Sequence, residues 1–416
     1  KKEFSNKIRD IAKNNLFGID INEEALKVTC FSIYIALLDY QQPKDIDKYP
    51  FPNLLGTNLF KANFFDALHD FNTVIKNNPP KFILGNPPWK SKKEDVVHVK
   101  WLKDNKKTVG RFEIAQSFLL RTKDFMIDET KSALIITSTI FYNVSAPTRK
   151  FKEDFLTSFC VEKFFDLSPV RRLIFEKKNS PASIVYYRLS KDNDYQKNII
   201  NHQSVKFNRF IKYFKMLVVE KFDQKDLAQK YFLENDWMFK VALYGGILDF
   251  KLLNALKKLD GVNITNHFKE FNYGAGIKSN KGSDYAEKLI GLPLLENEQI
   301  KAYYTKIDEN HILSAKDVWF ESGRKPELFF GNKILIKEQA KDETDILISY
   351  VEGNSVYKNG INGITSPKKE SLMVLFSYLI SRLYEYYIFM ISGSWGTSTR
   401  PQIRWKEEYL SFPIVD

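Results

Sequence analysis

Short apolar runs alternate along the first half of the chain with longer segments of helical periodicity. Residues 3–14 read as a helix, and Leu16-Phe17-Gly18-Ile19-Asp20-Ile21 as a short buried strand ending in an acid. From residue 23 to 40, Ala25, Val28, Phe31, Ile35 and Leu38 recur at helical spacing. A strand is predicted over residues 59–65, a helix near 66–76, and a buried strand over Lys81-Phe82-Ile83-Leu84-Gly85. After a lysine-rich loop to about Gly110, an amphipathic helix is predicted over 111–128. Strands follow at 133–138, 161–167 and 181–189, with a helix over 148–158. Strands that alternate with helices predict an α/β domain built on a doubly wound, mainly parallel sheet.

Beyond residue 190 the pattern becomes irregular. The polar stretch 190–197 reads as a linker. Residues 333–337 and 346–350 are short β-like runs, and 372–391 reads as one core helix carrying Arg382 and Glu385. The expected organisation is a first domain over 1–190 and a mixed α+β second domain over 191–416.

Composition narrows the partners. With 416 residues, 44% of them hydrophobic, the chain can build two or three cores. Its 63 basic and 51 acidic residues leave a formal charge of +12, which fits a polyanionic partner. No apolar run approaches the roughly 18 residues of a spanning helix, and no signal-peptide pattern opens the chain, so nucleic acid is the better partner and no membrane is expected. Cys30 and Cys160 give neither a disulfide framework nor metal spacing, and five scattered histidines add no metal cluster. A reducing, cytoplasmic setting is expected.

The densest chemistry lies in Asn86-Pro87-Pro88-Trp89, directly after a predicted strand. Two prolines fix φ and remove two donors, and the residue before each is held extended. The exit from the strand is thus stiff and rich in acceptors: the Asn86 side-chain carbonyl and the Pro87 backbone carbonyl can each accept from an exocyclic amine. Trp89 can stack on a heteroaromatic face.

This tetrapeptide resembles the catalytic motif of gamma-class adenine-N6 DNA methyltransferases, such as the methylase part of type IIG restriction-modification enzymes. The resemblance covers about residues 1–190. It implies S-adenosylmethionine as cofactor, double-stranded DNA as substrate, base flipping, and a C-terminal target recognition domain. A nuclease domain or other restriction or phage-defence subunits are further partners it implies. Asp20 resembles the family's ribose-binding acid, and Ile21 would lie against the cofactor adenine. By its residue type alone, Asp20 could instead begin the next helix, though Asn22 could do that capping.

In the next matching motif, Lys61-Ala62-Asn63-Phe64-Phe65-Asp66, Asn63 stands where the family has an acid that accepts from the cofactor amine. Phe64 would pack beside that adenine. Phe112 and Ile114 match a motif that contacts the methionine end. Phe175, in Phe175-Glu176-Lys177-Lys178-Asn179-Ser180, matches an aromatic that touches the flipped base. Lys92, Lys93, Arg171, Arg172, Lys177 and Lys178 would line the DNA cleft, with Lys278 and Arg400 reaching DNA from the second domain. Lys281, Arg324 and Arg404 lie in similar Gly- or Ser-containing stretches, and Ser392-Gly393-Ser394-Trp395-Gly396 resembles the closing segment of such recognition domains.

The family's first motif, a glycine-containing loop after the first strand, has no counterpart before Asp20. The expectation is a partial chain or a lost cofactor loop. Two functions therefore stay open: an active adenine methyltransferase, and a catalytically silent recognition subunit of a defence complex with the same fold.

Overall fold

The computed structural model describes residues 2–40, 50–91, 94–175, 180–259, 262–278, 287–314, 325–339, 346–397 and 401–414. Contacts divide the chain into two units, Lys1–Val170 with Ala182–Glu234, and Arg171–Pro181 with Asn235–Asp416.

The first unit begins with α1 (Lys2–Asn15), β1 (Gly18–Asp20), α2 (Glu23–Leu38), β2 (Leu59–Lys61), α3 (Phe71–Asn77) and β3 (Phe82–Gly85). Then come α4 (Val96–Asp104), α5 (Ile114–Arg121), β4 (Lys131–Thr137), α6 (Thr139–Tyr142), α7 (Ala146–Ser158) and β5 (Phe159–Asp166). Past the short α8 (Arg171–Ile174), which belongs to the second unit, come β6 (Ala182–Leu189), β7 (Ile199–Ser204), α9 (Arg209–Phe214), β8 (Gln224–Ala228) and α10 (Gln229–Glu234).

The sheet differs from the expected mainly parallel one in two ways. It is mixed: in the order β3-β4-β6-β5-β7-β8, only β3–β4 and β5–β7 are parallel. Within it, β6 lies antiparallel between β4 and β5. The sheet is also divided, because β1 and β2 form a separate parallel pair. Even so, Ile19 of β1 and Ile83 of β3 pack on one core of Phe60, Phe71, Ile75 and Phe125. On its other face the β1–β2 pair carries α2 through Leu26, Cys30, Leu54 and Leu59.

Two local expectations shift. The helix expected from residue 111 starts at Ile114, since Arg111 and Phe112 are left-handed with φ of 51° and 54°. Gly110 before them has no room for a side chain: a Cβ would meet Thr148 Oγ1 at 2.3 Å. The stretch 190–197 is no linker, because it connects β6 to β7 of the same sheet. Asp194 ties it down, accepting from Arg188 Nη1 at 2.7 Å, Ser190 Oγ at 2.8 Å and the Lys191 amide at 3.0 Å. The first unit accordingly continues past residue 190 to Glu234.

On β7, His202 is fully buried and stacks on Phe164 with ring planes 8° apart. Burial, aided by the charge of Lys225, pushes its imidazole down to about 3. The unfolded ring titrates near 6.5. Its contribution is therefore complete above about pH 6.5 and is lost as pH falls toward the folded value, by at most about 1.4 kcal/mol per pH unit. His202→Phe is expected to flatten the fall in melting temperature between about pH 6.5 and pH 4. An unchanged slope in thermal melts would count against this role.

In the second unit, five strands follow the spatial order Asn272–Ala275, Ile361–Thr365, Lys333–Lys337, Ile348–Val351, Tyr303–Tyr304. All neighbours are antiparallel except the last pair. The expected single helix over 372–391 is two helices, Lys369–Leu379 and Arg382–Ile391, bent by 62°. Ser381 starts the second by accepting from the Tyr384 amide at 3.2 Å. No single helix among the described residues is long and apolar enough to cross a membrane.

Candidate active site

One cavity of about 570 Å³ runs along β1 and β3. Asp20, Ile21, Asn63, Phe64, Asn86, Pro87 and Pro88 all line it. Three segments distant in sequence thus converge at the carboxyl ends of parallel strands, where ligands bind in open α/β sheets.

Each wall has a local cause. Asp20 ends β1, and its Oδ1 accepts from the Asn22 amide at 2.7 Å. Asn22, not Asp20, caps α2, accepting from the Glu24 and Ala25 amides. The Asp20 carboxylate is therefore not used up in starting the helix and stays exposed at the cavity. Ile21 beside it is 67% exposed.

After β2 the chain turns at Asn63, whose Oδ1 accepts from the Phe65 amide at 2.9 Å. Its Nδ2 donates to the Asp95 carboxylate at 3.3 Å. Asp95 also caps α4, accepting from the His98 amide at 3.0 Å, and it lines the cavity. The negative charge that Asn63 lacks is thus present next door on Asp95. Phe64 stacks on Phe118 with centroids 4.4 Å apart, and that aromatic pair forms an apolar wall.

Asn86 leaves β3 exposed, and its side chain makes no hydrogen bond among the described residues. Pro87 is buried behind it. Trp89 is half-buried and lies outside the cavity wall; its indole Nε1 donates to the Ile135 carbonyl on β4 at 3.4 Å. The loop beyond is pinned by the Ile114 amide, which donates to the Lys90 carbonyl at 3.0 Å. Ser91 Oγ donates to Glu113 at 3.2 Å, and burial raises the Glu113 carboxyl above its usual range.

Other expected residues fall elsewhere. Ile114 and Phe118 line the cavity, whereas Phe112 does not. Arg171, Arg172 and Phe175 belong to the second unit, as does the exposed Lys278. Lys92, Lys93, Lys177, Lys178, Lys281, Arg324 and Arg400 lie outside the described residues. The segment 392–396 is a buried knot: Trp395 is 1% exposed, and Glu408 accepts from the Gly393 amide at 3.0 Å. Nothing in the sequence singled out Asp95, which sits in a lysine-rich loop; its one signal is that it precedes the helical run 96–104.

A family model described as Eco57I restriction-modification methylase matches residues 14–175. The comparison with curated proteins finds no match. Among solved structures, the type IIL restriction-modification enzyme MmeI in complex with DNA is similar at 13% identity and a TM-score of 0.59, over 97% of this chain and 56% of that one. The type IIG restriction endonuclease BpuSI is similar at 10% identity and a TM-score of 0.41, over 99% of this chain and 57% of that one. The chain thus spans a little over half the length of these two proteins. The likeness to MmeI shows a common fold. Residues 14–175, which carry β1, β3 and the Asn86 tetrapeptide, are thus similar to the Eco57I restriction-modification methylase family.

Proposed function

We propose that the chain is the methyl-transferring part of a restriction-modification or phage-defence enzyme that modifies adenine N6 in double-stranded DNA. The observation that carries this reading is the Asn86 side chain at the exit of β3, without a hydrogen-bond partner among the described residues and facing one cavity with Asp20 and Asp95.

The residues present suit S-adenosylmethionine. The Asp20 carboxylate would accept from ribose hydroxyls, Ile21 and Phe64 would lie against the faces of a flat base, and Asp95 with Asn63 would meet its exocyclic amine; all line one cavity. Once bound, S-adenosylmethionine supplies an electrophilic methyl group.

The lone pair of adenine N6 is delocalised into the ring. The Asn86 and Pro87 carbonyls accept the two N6 hydrogens, draw the nitrogen toward a tetrahedral geometry and raise its electron density. Trp89, tied to β4, gives the flipped base a fixed stacking wall. Proximity and a matched polar environment supply the acceleration. Lys92, Lys93, Arg171, Arg172, Lys177 and Lys178 would neutralise DNA phosphates. The second unit, with Lys278 and Arg400, would read the target sequence.

Long-read sequencing of DNA from a host expressing the gene tests the whole reading. The expected result is N6-methyladenine at one sequence motif. Unmodified DNA, together with no heat on titrating the protein with S-adenosylmethionine, would favour the silent recognition subunit instead.

Asp95→Asn keeps the cap of α4 but removes the charge. It is expected to weaken S-adenosylmethionine binding about tenfold, the worth of a charge-assisted over a neutral hydrogen bond. An unchanged Kd by calorimetry would remove Asp95 from the cofactor site.

A further inference from the structure

Between β7 and β8 the chain sends aromatic rings and positive charge into solvent together. Phe207, Phe210, Tyr213, Phe214 and Phe222 are 53–67% exposed. Arg209, Lys212, Lys215 and Lys221, set among them, are exposed as well. The segment is nevertheless anchored. Asn208 caps α9, accepting from the Ile211 amide at 3.0 Å, and Ile211 is buried beneath it. Lys206 closes one end of the segment on the other: its Nζ lies 2.7 Å from Asp223 and 5.4 Å from the centre of the Phe222 ring. Of the segment's two acids, Asp223 is thereby engaged, and Glu220 stands against four exposed cations.

Strand directions place this segment at the end of the sheet that holds Asn86. β3 runs parallel to β4, β4 and β5 are both antiparallel to β6, and β7 runs parallel to β5. The carboxyl ends of β3, β4, β5 and β7 therefore share one end of the sheet. Just past β7, the Val205 amide donates to the carbonyl of Asp166, the last residue of β5, at 3.0 Å. In the order β3-β4-β6-β5-β7, four strand spacings separate the Asn86 exit from the segment, about 19 Å. That is the rise of about six base pairs of B-DNA. Clustered exposed rings mark a contact site, and the cations among them suit a polyanionic partner.

We propose that the connection 205–223 is a second DNA-contacting surface, which takes the duplex flanking the flipped adenine. The proposal rests on the reading that Asn86 serves a base in double-stranded DNA. Arg209, Lys212, Lys215 and Lys221 neutralise phosphates, which positions the duplex without reading its sequence. Phe210, Tyr213 and Phe214, along α9, lie against sugars and groove edges, where apolar side chains of architectural DNA-binding proteins act. Held at two places along one end of the sheet, the duplex keeps its orientation as the adenine leaves the stack.

Affinity of the full chain for a mixed-sequence duplex of about 40 base pairs is measured against salt, whose slope counts the phosphates neutralised. The patch variant combines Arg209→Gln, Lys212→Gln and Lys215→Gln. The control combines Lys81→Gln, Lys191→Gln and Lys197→Gln. Lys81 directly precedes β3, and Lys191 and Lys197 lie between β6 and β7, so the control makes the same charge change at the opposite end of the sheet. The expected result is a slope reduced by about two to three in the patch variant and nearly parental in the control. Phe210→Ser with Phe214→Ser is expected to weaken binding about tenfold at an unchanged slope, because rings release no counterions. If that pair lowers the melting curve, Tyr213→Ser alone gives the same reading. Equal slopes in the patch and control variants would overturn the proposal while leaving methyl transfer standing. So would a patch variant that loses affinity for vesicles of anionic phospholipid but keeps the parental slope on DNA. A parent chain that binds no duplex would overturn both.

Discussion

Replacing Asn86 by alanine is expected to reduce adenine methylation by about 10²–10³-fold while leaving DNA affinity nearly unchanged. The asymmetry follows from where Asn86 sits. Its side chain is exposed and bonded to no described residue, so the fold loses nothing with it. Affinity for DNA rests mainly on phosphate contacts, which Asn86 does not make in the proposed reading. What disappears is an acceptor whose bond strengthens as N6 becomes tetrahedral, a contribution made in the transition state. Asn86→Asp keeps an acceptor at the same place and is expected to retain more of the rate than alanine. Single-turnover methylation with bound DNA separates the two variants. An alanine variant at the parental rate would end the assignment.

The part of the site that could be read in advance is the part coded locally. An apolar run followed by two prolines fixes both the strand and its stiff exit, so β3 and Asn86 lie where the pattern puts them, although the strand expected to be buried is largely exposed. The short β1 and the Asn22 cap of α2 are similarly local. Sheet order is not local. The antiparallel insertion of β6 between β4 and β5 is a matter of strand order and direction, and strand periodicity is silent about both. Asp95 escaped for a related reason: its partner Asn63 is 32 positions away, and only the fold brings the amide to the carboxylate. The helix expected over 372–391 failed at Ser381, where apolar periodicity continues across a break made by one hydroxyl cap.

Arg121→Ala is expected to destabilise the first unit by about 3–5 kcal/mol, a large share of a typical domain's stability. Arg121, on α5, is 1% exposed. Its guanidinium carbon lies 5.2 Å from the Phe64 ring centre, 5.7 Å from Phe125 and 5.9 Å from both Phe65 and Phe71. Nη2 donates to Asn72 at 2.8 Å, and Asp124 stands 3.8 Å from Nε. Burial pushes the group down to about 10, so it stays charged at neutral pH. The aromatic faces offset part of its desolvation. Alanine would leave a cavity among those rings and strand the Asn72 acceptor. Arg121→Met fills the volume without a buried charge and is expected to cost far less, because an apolar side chain avoids the desolvation penalty. Phe64 both touches Arg121 and lines the cavity, so the alanine variant should also weaken S-adenosylmethionine binding, whereas methionine should spare it. Urea unfolding with calorimetric titration tests both statements. An alanine variant within about 1 kcal/mol of the parent would show that the rings close over the gap, and that Arg121 does not hold Phe64 in place.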